Sequence, residues 1–170
     1  MSLGSRSQIY NSPLSFHSQN GKYKVVFAPT VLEHFHVSVQ ERYNAAEAGG
    51  QLFADLSNEI VRVVLATGPR KTDRRSRYFF QPDRRKENAE IKKQFKSGLH
   101  YIGDWHTHPQ DIPIPSSIDV ENIQDCFNNS RHQLVSFIMV IVGRNLFPDG
   151  LSVSLHNHAT HEFLSVEHNI

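Results

Sequence analysis

The stretch "GDWHTHPQDIPIPSSID" (residues 103–119) contains two histidines one residue apart, then three prolines, and then a serine and an aspartate. Residues i and i+2 of a β-strand lie on one face, so a strand here directs the imidazoles of His106 and His108 toward one ion. The first proline ends the strand, and the other two restrict the loop that brings the chain back. A helix that begins at Ser116 places Asp119 one turn in, on the side of the helix start.

Two imidazoles and one carboxylate form the ligand set of a catalytic zinc ion, whose fourth position stays open for water. A structural zinc site adds a fourth protein ligand, usually cysteine, and the chain has only Cys126. The residues therefore predict one Zn²⁺ per chain with a bound water, held by His106, His108 and Asp119.

A hydrolytic zinc site also needs a base, because a carboxylate must take the proton of the water and pass it to the leaving amine. The segment "EAGGQLF" (47–53) offers Glu47, which we place at the end of the first predicted helix, in glycine-rich surroundings. Taken alone, Glu47 is more simply an exposed acid at a helix end, and Ser116 is more simply a helix N-cap. Their catalytic roles depend on the wider pattern.

The H-x-H pattern by itself is weak evidence, because the sequence contains it three times. His34 and His36 fall in a predicted helix, where residues two apart point about 200° from each other. His156 and His158 share the face of a predicted strand, but no acid follows them at a useful spacing. We therefore predict that His156 and His158 are ordinary exposed histidines.

Hydrophobic patterns predict one α/β domain over residues 21–170, preceded by a flexible lead-in at residues 1–20. The predicted strands are 23–28, 49–56, 59–68, 77–81, 99–108, 134–143, 151–157 and 162–167, and the predicted helices are 29–46, 84–97 and 116–127. Trp105 has the opposite strand parity to His106, so we assign it to the core. Asp104 shares the parity of His106, which makes it a candidate to support the ligands.

Composition limits the classes of protein to which the chain can belong. Hydrophobic residues make up 38% and charged residues 21%, which is typical of a soluble globular domain. No apolar run approaches the roughly 20 residues that a transmembrane helix needs, and the N-terminus has no pattern of a secretory signal. Together with the single cysteine, these features predict a cytoplasmic protein that does not associate with a membrane.

Positive charge is concentrated in residues 70–96, which contain 11 of the 18 lysines and arginines but only 4 of the 17 acids. The simplest interpretation is a solvated loop and helix face. The alternatives are a docking site for an acidic protein and a nucleic-acid-binding surface, and of these two we favour the protein. The basic residues are Arg70, Lys71, Arg74, Arg75, Arg77, Arg84, Arg85, Lys86, Lys92, Lys93 and Lys96.

The order Glu47, His106-x-His108, seven residues, Ser116, two residues and Asp119 resembles the motif E…H-x-H-x7-S-x2-D of the JAMM metalloproteases, also called MPN-plus or JAB. The resemblance implies a zinc isopeptidase with the fold shared with cytidine deaminases, a mixed β-sheet flanked by helices. It implies that His106, His108 and Asp119 bind zinc and that Glu47 acts as general base and then acid. Ser116 would hydrogen-bond to the oxygen that becomes negative in the tetrahedral intermediate.

The segments "IGDWHTHP" (102–109) and "PIPSSID" (113–119) further resemble a bacterial subgroup of this family. Its members accompany ubiquitin-activating-like and ubiquitin-conjugating-like proteins in antiphage islands built around cyclic-oligonucleotide synthases. This narrower resemblance implies a protein substrate with a flexible C-terminal tail. The bond cleaved would follow the C-terminus of a nucleotidyltransferase or of a ubiquitin-like protein.

Two rival interpretations draw on the same residues. A cytidine deaminase would share the fold class and the metal, but its signature requires H-x-E and P-C-x-x-C, which a single cysteine excludes. The second rival is a JAB-fold binding module that uses the basic segment 70–96 to hold nucleic acid or protein without catalysis.

Overall fold

The computed structural model describes residues 10–167. The strands are β1 (Leu14–His17), β2 (Lys24–Phe27), β3 (Gly49–Asp55), β4 (Val61–Ala66), β5 (Arg74–Ser76), β6 (Phe79–Gln81), β7 (His100–Thr107), β8 (Phe137–Val142), β9 (Leu151–His156), β10 (His161–Phe163) and β11 (Ser165–Val166). The helices are α1 (Pro29–His36), α2 (Arg84–Lys96) and α3 (Ser117–Asn129). Nine strands form one mixed sheet in the order β10-β9-β8-β7-β3-β4-β2-β1-β11, and β5 and β6 form a separate hairpin. The predicted α/β class with a mixed sheet and flanking helices is confirmed.

Different helices cover the two faces of the sheet, because side chains alternate along each strand. On one face, Phe35 of α1 packs against Trp105 of β7, which is 1% exposed. On the other face, Ile123 of α3 packs with Met139 of β8. The assignment of Trp105 to the core is therefore confirmed. Since Trp105 faces α1, the residues on either side of it face α2 and α3.

The two ends of the strand order meet, although seven strands lie between them in the sheet. β10 pairs with β9 at one end, β11 pairs with β1 at the other, and only Leu164 separates β10 from β11 in sequence. Leu164 is buried, and its N–H donates to the carbonyl of Val153. The sheet therefore curves back on itself, and the predicted strand 162–167 is divided between its two ends.

The first helix is shorter than predicted, because it ends at His36 and not near Ala46. The hydroxyl of Ser38 donates to the carbonyl of His34, which competes with continuation of the helix. Further on, Gln40 is buried and its amide donates to the carbonyl of Ala45, holding an irregular turn. The segment before β3 is consequently a loop, not a helix end.

The predicted flexible lead-in at residues 1–20 is wrong for the strand Leu14–His17, while residues 1–9 lie outside the described part of the chain. β1 pairs with β2 and also with β11, and its Phe16 belongs to the core. The pairing with β11 joins residues about 150 positions apart in the sequence, so local patterns give no sign of it. Among the described residues no helix has the length and apolarity to cross a bilayer.

The prediction that His156 is exposed is also wrong, whereas His158 is exposed as predicted. His156 ends β9 with only 1% of its surface exposed, and its Nε2 lies 2.7 Å from the hydroxyl of Ser154. The ring also stacks on His161 of β10. Pairing with β10 covers this side chain, and the sequence pattern of β9 alone did not indicate that cover.

Candidate metal centre

One face of β7 presents Asp104 and His106, and His108 continues this face beyond the last residue of the strand. The N–H of His108 donates to the carbonyl of Val142 at 2.9 Å, so the parallel pairing with β8 extends past Thr107. Both histidines therefore keep the strand parity that directs their rings to one side. Neither ring is displaced by the chain reversal that follows.

The loop between β7 and α3 is fixed by the strand end that lies beside it. The N–H of Arg144 donates to the carbonyl of Gln110 at 2.8 Å, and the side-chain oxygen of Gln110 accepts from the N–H of Ile114 at 3.0 Å. Pro113 is buried in the middle of the loop. These contacts bring the start of α3 to the end of β7, as the prolines predicted.

Ser116 caps α3 and at the same time holds Asp119. The hydroxyl of Ser116 accepts from the N–H of Asp119 at 3.2 Å, and the carboxylate of Asp119 accepts from the N–H of Ser116 at 2.7 Å. The hydroxyl also donates to Asp119 Oδ2 at 2.8 Å. This reciprocal capping box fixes the carboxylate in the first turn of the helix.

The three side chains converge at one point. His106 Nε2 lies 3.2 Å from His108 Nε2, and Asp119 lies 3.1 Å from His106 Nε2 through Oδ1 and 3.3 Å from His108 Nε2 through Oδ2. Two zinc ligands with bond lengths of ~2.0–2.1 Å and a tetrahedral angle lie about 3.3 Å apart. The observed separations and the nitrogen and oxygen donor set therefore fit a zinc ion.

Electrostatics keep Asp119 ready to act as a ligand. Burial alone would raise the pKa of Asp119, but hydrogen bonds from His106 and His108 outweigh burial and hold the pKa far below its usual range. Burial alone would lower the pKa of His108, but the hydrogen bond and charge of Asp119 raise it. Asp119 therefore stays ionised at any ordinary pH, as metal binding requires.

Glu47 lies in the loop before β3 and is tied to the β5–β6 hairpin through its backbone. Its N–H donates to the carbonyl of Ser76 at 2.8 Å, and its carbonyl accepts from Nε of Arg75. The side chain is only 7% exposed and lines the same cavity as the two histidines and Asp119. Burial raises the pKa of Glu47 to about 7, with the charge of His108 opposing this shift and that of Asp119 adding to it.

The glycines after Glu47 are required by a close approach of two backbone segments. A Cβ atom at Gly50 would lie 1.7 Å from the carbonyl oxygen of Thr67 in the connection that follows β4. Trp105 Nε1 donates to the same oxygen at 2.9 Å, which links the start of β3 to the strand that carries His106. The position of Glu47 relative to the histidines is thus set by packed backbone.

Comparison with known proteins decides the family. Residues 29–160 match the family described as prokaryotic homologs of the JAB domain. The chain belongs to this family. This match confirms the resemblance seen in the sequence, at the level of the family and its fold.

Relatives of this JAB domain carry names that describe an activity. A protein named CD-NTase/cGAS isopeptidase from Enterobacter hormaechei is 28% identical over 84% of this chain and 80% of its own length. One of the same name from Pseudomonas aeruginosa is 33% identical over 70% of this chain and 77% of its own. A solution structure of a protein from Desulfitobacterium hafniense aligns with 83% of this chain and 85% of that chain, with a TM-score of 0.52 and 19% identity, which shows similarity of fold alone.

The JAB domain has an open cavity of about 500 Å³ beside the three converging side chains. Its wall includes Phe80, Ile123 and Met139, and Arg84 and Asp104 also line it. The cavity is large enough for several residues of an extended chain, and it combines apolar side chains with a similar number of polar and charged ones. The sequence did not predict the cavity, because its wall comes from six separate elements.

Asp104 lies on the same face as His106, as its strand parity predicts, but its contacts lead elsewhere. Its Oδ1 accepts from the hydroxyl of Tyr101 at 2.9 Å. In residues 10–167 no hydrogen bond joins Asp104 to His106 or His108. Burial raises the pKa of Asp104 to about 7, and the neighbouring charge of Glu87 adds to this shift. The side chain of Asp104 therefore hydrogen-bonds to Tyr101 and not to the two histidines that it was predicted to support.

Four arginines of the basic segment 70–96 make defined side-chain contacts. Arg70 donates to Gln51, Arg77 lies over the ring of Tyr43, and Arg84 pairs with Glu87. Arg75 donates to the carbonyl of Glu47, and of these four arginines Arg84 lines the cavity. Sequence reasoning missed the contact between Arg75 and Glu47, since the run "RSRYFF" (75–80) indicates a hairpin but not which arginine reaches the loop that carries Glu47. The exposed members are Lys71, Arg74, Arg75, Arg84, Arg85, Lys86, Lys92, Lys93 and Lys96.

Proposed function

We propose that this JAB domain is a zinc isopeptidase that cleaves the amide bond after the C-terminal tail of a conjugated protein. The observation that carries the proposal is the convergence of His106, His108 and Asp119 beside Glu47 in one open cavity. The names of the relatives support this reaction class.

The metal would be held by His106, His108 and Asp119, one ion per chain. Two neutral imidazoles and a carboxylate suit zinc, and the three donor atoms leave room for a fourth ligand. When bound, zinc supplies Lewis acidity that polarises a carbonyl and lowers the pKa of a water molecule toward ~7. The protein supplies the remaining chemistry through Glu47 and Ser116.

Glu47 would take a proton from the attacking water and later deliver it to the nitrogen of the leaving amine. A base works best when its pKa lies near the working pH, and burial gives Glu47 a pKa of about 7. Its anchored backbone limits movement between the two steps. Because the base must be ionised, kcat/KM should fall as the pH drops below the pKa of Glu47, which the charge of a bound zinc ion would lower from the value set by burial.

Ser116 would donate its hydroxyl hydrogen to the oxygen that becomes negative in the tetrahedral intermediate. In the structure this hydroxyl donates to Asp119 Oδ2 and lines the cavity. Substrate binding would therefore require the hydrogen to turn from Asp119 to the substrate oxygen. The N-cap contact to the N–H of Asp119 uses a lone pair, so it can persist during this change.

The substrate would enter as an extended tail, because the cavity is open along one side but too small for a folded domain. Tyr78 and Phe79 of the hairpin and Ile118 of α3 are exposed at its rim and offer apolar contacts to such a tail. The relatives' name leads us to propose a CD-NTase as the protein that carries the tail, with a ubiquitin-like protein as the alternative. The bond would be formed by ubiquitin-activating-like and ubiquitin-conjugating-like proteins, in cytoplasmic antiphage defence.

The catalytic assignment is tested by the variant Glu47→Gln. This change keeps the size of the side chain but removes the base, so zinc content should remain near one ion per chain while cleavage is abolished. Metal analysis and a cleavage assay on the same preparation separate the two effects. Full activity of this variant would contradict the assignment of the base.

The substrate assignment is tested with linear fusions in which a small reporter protein follows a tail. One fusion carries the C-terminal tail of a CD-NTase, and the other carries the tail of a ubiquitin-like protein. We expect metal-dependent cleavage at the junction of the CD-NTase fusion, identified by mass spectrometry. Cleavage of the ubiquitin-like fusion alone would refute the CD-NTase assignment and leave the hydrolase assignment standing.

A further inference from the structure

The outer face of α2 carries a stripe of positive charge that the proposed chemistry does not use. Arg85, Lys92 and Lys96 are separated by seven and four residues, which places their side chains on one face of the helix. All three are exposed, whereas Glu87 on the opposite face is buried. We call Arg85, Lys92 and Lys96 the basic stripe.

The basic stripe has no partner of opposite charge. Within residues 10–167 none of its three side chains takes part in an ion pair or a hydrogen bond. The acids of α2 are used elsewhere, since Glu87 pairs with Arg84 at 2.7 Å and Glu90 lies 3.9 Å from Lys93. The stripe therefore projects an uncompensated positive field, which attracts acidic surfaces over about one Debye length, ~10 Å at 0.1 M salt.

The position of α2 connects the stripe to the cavity. The first residue of the helix, Arg84, lines the cavity, as does Pro82 just before the N-cap Asp83. From that point a helix of 13 residues extends about 20 Å along the surface. A protein whose tail occupies the cavity must hold its folded body outside the mouth, and α2 is one of the surfaces beside that mouth.

We propose that the basic stripe docks an acidic surface on the folded protein whose tail is cleaved. This proposal rests on the proposed isopeptidase function, because it assumes that a protein tail lies in the cavity. Charge complementarity requires an acidic partner, and the direct continuity between α2 and the cavity favours the protein substrate over nucleic acid. Such docking raises the rate of productive encounter and does not change the chemistry.

The test compares two substrates that share one cleavage site. The first is the CD-NTase fusion with its folded domain, and the second is a synthetic peptide that contains only the tail and the junction. The triple variant Arg85→Glu, Lys92→Glu, Lys96→Glu should lower kcat/KM for the fusion by about tenfold at 0.1 M salt. Its activity on the peptide should equal that of the wild type, and at 1 M salt the loss should largely disappear.

Matched controls separate docking from net charge and from folding. The triple variant Lys22→Glu, Arg62→Glu, Arg131→Glu changes the net charge equally at exposed positions outside α2, and it should retain wild-type activity on both substrates. A neutral version of the stripe with glutamine at all three positions keeps helix propensity, and it should show a smaller loss on the fusion alone.

Three outcomes would overturn the proposal. The first is that the stripe variant loses as much kcat/KM on the peptide as on the fusion. The second is that the control triple variant loses as much kcat/KM on the fusion as the stripe variant does. The third is that the stripe variant keeps wild-type kinetics on the fusion but no longer binds a short DNA duplex. Each of these leaves the isopeptidase function standing, since the wild type still cleaves the peptide. If the wild type cleaves neither substrate, the proposed function itself is wrong, and the docking proposal is wrong with it.

Discussion

Two H-x-H pairs on strands of the same sheet reach opposite outcomes in this protein. His106 and His108 lie with Asp119 at separations of 3.1–3.3 Å, whereas His156 is buried beside Ser154 and His158 is exposed in a turn. In both pairs one residue separates the two histidines. The spacing of two histidines is therefore not what creates a metal-binding arrangement.

What differs is the chain after the second histidine. The N–H of His108 continues the pairing with β8, so both rings stay on one face. After His156 the chain turns at once, with the N–H of Asn157 donating to the carbonyl of Thr160, and His158 loses the strand parity. Only the first pair is followed by a helix whose first turn returns a carboxylate. The acid and the extended strand bring the first pair and a carboxylate to one point.

The largest effect that this comparison predicts is on activity. Replacing His106 or Asp119 with alanine should remove the metal and reduce cleavage by roughly 10³-fold or more, because zinc contributes several kcal/mol to the transition state. His158→Ala should leave both the zinc content and the rate unchanged. If the His158 variant lost as much zinc and activity as the His106 variant, the second pair would also bind the metal, contrary to what we infer.

Ser116 provides a second contrast, between capping and catalysis. Ser116→Ala should lower kcat by ~10²–10³ if the hydroxyl stabilises the oxyanion, and should cost about 1 kcal/mol of stability through the lost cap. Ser116→Gly loses the hydroxyl but costs only a few tenths of a kcal/mol as a cap. The two variants should therefore be equally slow but unequal in thermal stability. A glycine variant with wild-type kcat would show that Ser116 acts through the helix alone.

The second pair should affect the stability of the fold, through His156, and not the rate of cleavage. Burial, aided by the nearby His161, lowers the pKa of His156 to about 4 in the folded state, from the ordinary value near ~6.5. Between these two pKa values the unfolded chain binds more protons than the folded chain. The free energy of unfolding should therefore fall by about 3 kcal/mol in total as the pH drops from about 6.5 to 4. Below pH 4 the contribution of His156 should not change further.

Urea unfolding across this pH range checks the prediction. The variant His156→Gln should lose this part of the pH dependence, and His158→Gln should keep it. Equal slopes for the wild type and the His156 variant would contradict a buried neutral imidazole.

The smallest effect concerns the anchoring of the base. Arg75 donates to the carbonyl of Glu47 and holds the loop that carries it, so Arg75→Ala should lower kcat by about tenfold with little change in KM. Arg75→Lys retains one donor and should recover part of the rate. The exposed Arg74→Ala is the matched control. A change in KM alone would show that Arg75 contacts substrate instead.

The sequence was informative where structure depends on neighbouring residues. The strand at 99–108, the helix from 116 and the charged helix from 84 were predicted closely, because alternation, prolines and cap residues act locally. The family resemblance followed from Glu47 and from the residues between the strand at 99–108 and the start of the helix at 116. The roles of the site residues remain predictions, which the experiments above address.

The sequence was misleading where contacts between separate segments decide. The irregular turn after the first helix depends on Gln40, whose amide also donates to the carbonyl of Arg77, and the strand at 14–17 depends on a partner from the end of the chain. The burial of His156 depends on β10. Likewise, the anchoring of Glu47 by Arg75 joins a loop to a hairpin 28 residues away. None of these pairings leaves a local signal, because each joins segments whose own patterns are complete without it.

The most direct measurement is anomalous X-ray scattering at the zinc edge from crystals grown with zinc. We expect one strong peak per chain, within bonding distance of His106, His108 and Asp119 together. A chain without a peak at these three side chains, or with a peak beside His156 and His158, would contradict this expectation.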